Sequence, residues 1–143
     1  MGDTNALIGV AGVLIGVAAT ATVTYGLRRR DEAHEVRSVA RMLVPGLRSS
    51  IHLLDEALQN EHWELLQAFN LHEEIWQAHG YKLATHLSEA EWKVLETAYR
   101  GSEKTPPMLL TMNSGDDLWK RPILAKIQLD AWRAGLAVLE DLP

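Results

Sequence analysis

DEAHEVRSVARMLVPGLRSSIHLLDEALQN, residues 31–60, decides the architecture. Val36, Ala40, Leu43, Leu47, Ile51, Leu54 and Leu58 are spaced 4, 3, 4, 4, 3 and 4. That spacing puts them on one stripe of an α-helix, as a core-facing or coiled-coil helix requires. Pro45-Gly46 interrupts the run, yet the stripe keeps its phase across the interruption. One kinked, continuous helix explains this better than two unrelated ones.

Toward the N-terminus the same helix meets an apolar run. No charged residue lies between Thr4 and Leu27, and Ala6–Ala19 reads ALIGVAGVLIGVAA. About 20 helical residues, each rising about 1.5 Å, cross a hydrocarbon core of about 30 Å. The run is therefore long enough to be a transmembrane helix. A secretory signal peptide carries a basic n-region, and none is present, although Ala19-Thr20-Ala21 keeps the form of a cleavage site. Arg28, Arg29 and Arg30 close the run, and no Lys or Arg precedes them. The positive-inside rule then predicts a single-pass protein of the plasma (inner) membrane. Its short N-terminus is outside and its C-terminal domain is cytoplasmic. Tyr25 and the three arginines are the expected membrane-interface residues, with lipid as their partner.

Gly12, Gly16, Thr20 and Thr24 recur every four residues. They line one face with small side chains, where a second helix can approach closely. The expected partner is another copy or a membrane protein. The competing reading is that such residues are simply common in anchors.

Beyond the membrane, residues 28–143 read as one cytoplasmic helical domain. Arg30, Arg37, Arg41 and Arg48 share a second face of the long helix. Arg48 stands about 27 Å beyond Arg30, and membrane potential fades within about 8–10 Å. The later arginines are thus expected to pair with acids of the domain. Trp63, Leu65, Leu66 and Phe69 mark a short helix or an irregular turn. Asn70 with Glu73 has capping-box spacing and predicts a helix to about Leu87. Ser88-Glu89-Ala90-Glu91 opens another, to about Tyr99, with Gly101 as its stop. Residues 101–117, with two prolines and turn residues at both ends, read as a loop carrying the apolar Met108–Met112 patch. The last helix spans about Leu118 to Asp141, with a stripe of Leu124, Ile127, Ala131, Ala134 and Val138. The fold class is all-α: an N-terminal transmembrane helix continues into the long kinked helix, which packs with two or three further helices in a small bundle.

Chemistry-bearing patterns are weak. With no cysteine there is no disulfide framework, thiolate metal site or cysteine nucleophile. His72, His79 and His86 are each seven apart, about 10 Å along a helix, too far to share one ion. Asp55-Glu56, Glu73-Glu74 and Asp116-Asp117 are adjacent carboxylates that diverge by about 100° on a helix; the last two suit helix N-termini. Five tryptophans at helical spacing beside leucines read as core. Phosphate loops and nucleophile elbows are missing. From Asp55 to Glu96 there are nine acids and two lysines, which argues against nucleic acid. No catalytic, cofactor-binding or metal-ligating residue is assigned, and no small-molecule substrate is evident.

The order of parts resembles a loose set of small, uncharacterised single-span proteins of high-GC Gram-positive bacteria and their phages. The matching residues are the Gly/Ala-rich anchor, the Arg cluster, Trp76 with His79, Leu83-Ala84-Thr85-His86-Leu87, Ser88-Glu89-Ala90-Glu91-Trp92 and Ala98-Tyr99. The resemblance implies fold and location only. The expected function is a membrane-tethered, non-enzymatic interaction or scaffold protein. The alternative is a membrane-acting effector in phage exclusion or anti-phage defence, and an enzyme is the weakest reading.

Overall fold

The computed structural model describes residues 3–112 and 117–142, with the backbone alone for residues 3–19. Among these residues there are six α-helices, one 3-10 helix and no strand. They are α1 (Asp3–Asn60), the 3-10 helix Trp63–Ala68, α2 (Glu73–His79), α3 (Tyr81–Ala84), α4 (Glu89–Ser102), α5 (Thr105–Thr111) and α6 (Lys120–Glu140). The protein is an all-α small bundle. Two compact units divide it, Met1–Glu35 and Val36–Pro143. Among the described residues no helix is long and apolar enough to cross a membrane. The expected span falls mostly on residues 4–19, whose side chains lie outside that set.

In the second unit the stripe of α1 is the one its spacing predicts. Val36, Ala40, Leu43, Leu47 and Leu54 are buried, and Ile51 and Leu58 are half-buried. Val39, Ser50 and Ala57 are buried too, widening the stripe. The helix continues through Pro45. A proline there leaves the Arg41 carbonyl without its ladder donor, but Pro45 is exposed, so water can take the place of that donor. Gly46 is buried for a different reason. A Cβ on it would stand 2.8 Å from Cδ2 of His72 and 3.3 Å from the Leu71 carbonyl. Its missing side chain lets that segment lie against α1 and bury Leu71.

Two aromatic stacks pack against the core. The Trp76 ring stacks on Tyr99 at 4.4 Å, and on Trp92 at 5.3 Å. Phe69 stacks on Trp132 at 5.1 Å. Burial raises the Tyr99 hydroxyl well above its usual pKa, so it stays protonated. Gly80 follows Trp76 by one turn and makes room for it, since a Cβ there would meet the Trp76 carbonyl at 2.6 Å.

Helices α4 and α6 pack antiparallel through small residues. A Cβ on Gly135 would stand 2.9 Å from that of Ala98, and one on Gly101 would collide with Oε1 of Gln128. Trp132 Nε1 and Gln128 Nε2 both donate to the Ala98 carbonyl. Arg121 fastens three elements together. Its guanidinium lies 4.7 Å from the centre of the Trp63 ring and donates through Nε (2.8 Å) and Nη2 (2.6 Å) to the Leu109 carbonyl. Arg48 pairs with Glu140 at 2.6 Å, and Arg133 with Asp55 at 3.3 Å, joining α1 to α6. Each pair is exposed and contributes little alone.

Helix α4 begins with the predicted capping box. Glu91 N–H donates to Ser88 Oγ (3.3 Å), while Ser88 N–H donates to Glu91 Oε2 (2.7 Å). The side-chain and backbone bonds from Ser88 hold the Glu91 carboxyl below its usual pKa.

Four expectations are corrected. The Asn70–Glu73 box does not form. Asn70 Oδ1 instead accepts from His72 N–H at 2.8 Å, and His72, with φ 52°, caps α2 without a side-chain bond. The helix predicted to run from there to Leu87 is two short ones broken at Gly80. The loop expected over 101–117 holds the end of α4 and all of α5, because Pro106 and Pro107 sit in a first turn, where no N–H is needed. In α6 the buried face is Ala125, Gln128, Leu129, Trp132, Gly135 and Leu139. Ile127 and Ala134 of the expected stripe are exposed, and Leu124, Ala131 and Val138 are half-buried. Gly135, Trp132 and Gln128 meet α4 at Ala98 and Gly101, and that crossing sets the buried face.

Candidate functional site

In the first unit, every side chain from Thr20 to Arg30 is exposed. Val23, Tyr25 and Leu27 are large apolar groups among them, each more than half exposed. Thr24 Oγ1 donates to the Thr20 carbonyl at 2.8 Å, one turn earlier. That bond satisfies the hydroxyl within the helix. Thr20 and Thr24 therefore share a face, as their spacing predicts. The backbone at Gly12 and Gly16 is helical, and the rest of the pairing expectation there lies outside the described residues.

Charge begins where the apolar groups end. Arg29 places its guanidinium 5.6 Å from the centre of the Tyr25 ring, and Arg28 pairs with Glu32 at 3.4 Å. Arg30 is exposed beside them. Val23, Tyr25 and Leu27 thus lead directly into three consecutive cations.

In the second unit, Arg37, Ala40, Arg41 and Val44 line a cleft of about 370 Å³ with Leu139 and Glu140. Arg48 is paired with Glu140 beside it, in keeping with a solvated flank of the long helix.

The structure also brings together two acids far apart in sequence. Glu73, in the first turn of α2, hydrogen-bonds Glu103 just past α4. Burial, that bond, and repulsion from Glu103 and Glu74 raise the Glu73 carboxyl to about 7. No local spacing signals the pair, because it is made by the packing of separate helices. His72, His79 and His86 are not on one helix. They occupy the cap of α2, its last residue and the turn after α3. Among the described residues, no three His, Asp or Glu side chains converge to hold a metal ion.

No protein-family model, curated protein or solved structure matches the chain.

Proposed function

We propose that this protein is a membrane-tethered, non-enzymatic interaction or scaffold protein. Its N-terminal helix crosses the plasma membrane once, and its helical domain is held on the cytoplasmic side. The observation that carries this reading is the exposed Val23, Tyr25 and Leu27 leading directly into Arg28–Arg30. An apolar surrounding would stabilise these exposed apolar side chains. The uncharged run from Thr4 to Leu27 supports lipid as that surrounding, and the arginines support this orientation. The absence of cysteine makes the topology easy to test. In intact cells, Asp3→Cys reacts with a membrane-impermeant maleimide, and Tyr81→Cys reacts only after lysis. Labelling of Tyr81→Cys in intact cells would overturn the orientation. Crosslinked partners, compared with those of a chain lacking residues 1–27, separate recognition in the membrane from recognition by the domain.

A further inference from the structure

A cleft of about 370 Å³ opens between α1 and the end of α6, within the second unit. Its lining is of two kinds. Ala40 and Leu139 are buried at its floor, and Val44 and Leu142 are half-buried beside them. Arg37 and Arg41 stand at its rim, exposed and one helical turn apart. That spacing sets two like charges side by side, and an anion between them relieves their repulsion. The acid of the cleft, Glu140, is already engaged. Arg48 donates to its Oε1 through Nε (3.1 Å) and Nη2 (2.6 Å). The cleft is thus apolar within and cationic at its rim.

We infer that this cleft binds a single-chain anionic amphiphile. Arg37 and Arg41 hold its carboxylate or phosphate head, and its acyl chain lies along Val44, Leu139 and Leu142. The guanidinium fork matches either head. The chain gains by leaving water for the apolar walls. A bare inorganic anion would leave those walls wet, and a neutral chain would leave the arginines unanswered. The volume is at the lower end of the range for small-molecule clefts, about 300–1,000 Å³, which suits one chain rather than two. Every residue involved belongs to the second unit, so this inference is independent of the membrane reading.

The experiment uses the full chain in nanodiscs of neutral phosphatidylcholine, with dodecanoate carrying a diazirine at its chain end. After irradiation, peptide mass spectrometry should place label on the segments holding Val44 and Leu142. Arg37→Gln combined with Arg41→Gln should lower that labelling about tenfold. The thermal midpoint should not move, since both side chains are exposed. Glu140→Gln removes the acid from the cleft and should raise the labelling, a gain that a damaged fold does not give. Unlabelled dodecanoate and dodecyl phosphate should compete, and the stronger of the two identifies the head. Dodecyltrimethylammonium should not compete. Label confined to residues 4–27, undiminished labelling in the double variant, lowered labelling in Glu140→Gln, or equal competition by the cationic amphiphile would overturn the inference.

Discussion

The indole Nε1 of Trp132 donates to the carbonyl of Ala98 at 3.1 Å, joining α6 to the middle of α4. Both residues are fully buried, so neither group can turn to water instead. The bond therefore fixes the register of the two helices as well as satisfying two polar groups. Trp132→Phe keeps most of the ring and loses the donor. It should destabilise the fold by about 1–2 kcal/mol, read as a lower urea midpoint with an unchanged slope. Trp132→Ala should cost about 3–5 kcal/mol.

The same crossing makes two glycines unequal. Gly135→Ala would bring a methyl within 2.9 Å of the Ala98 Cβ, where neither backbone can yield cheaply. It should destabilise by about 1–3 kcal/mol despite the gain in helix propensity. Ala98→Gly should recover part of that in a double-mutant cycle. Gly101→Ala meets the end of the flexible Gln128 side chain. Its unfolding midpoint should move far less.

Ser88→Ala removes the side-chain acceptor of the α4 cap. The expected cost is about 1 kcal/mol. Asn70→Ala should cost less, since the Asn70 side chain serves a turn and no helix end. Thermal midpoints of the two variants make the comparison.

Glu73 gives a pH dependence of defined sign. Its folded pKa is about 7 against an ordinary 4.5, so between these values the folded state holds more protons than the unfolded chain. Stability from this group is full below pH 4.5 and is lost as pH rises through about 7. Solvent screening at this shallow site reduces the effect to about 1 kcal/mol. Glu73→Gln should flatten the profile and make the variant the more stable protein at pH 8. Urea midpoints at pH 5 and pH 8 test it; an unchanged difference between them would contradict the assignment.

The parts of the fold legible in the sequence are those set by local chemistry. The α1 stripe could be read because a long helix buries a single face of large residues, from Val36 to Leu54. Ser88 and Glu91 could be read because a capping box is made by neighbours in sequence. The stripe of α6 was misplaced because its buried face is set by the crossing with α4 through Gln128, Trp132 and Gly135, which local spacing does not show. Helix α5 was hidden by Pro106-Pro107, a breaker in a helix interior but an acceptable start. Of the candidate site, the apolar-to-cationic order at Tyr25 and Arg28–Arg30 was plain from the sequence. The Glu73–Glu103 pair was not, because tertiary packing makes it.

The most direct measurement is alkaline carbonate extraction of membranes from cells expressing the full chain, beside a chain lacking residues 1–27. The full chain should stay in the membrane pellet and the shortened chain should move to the supernatant. Release of the full chain by carbonate would contradict the membrane tether and the function proposed from it.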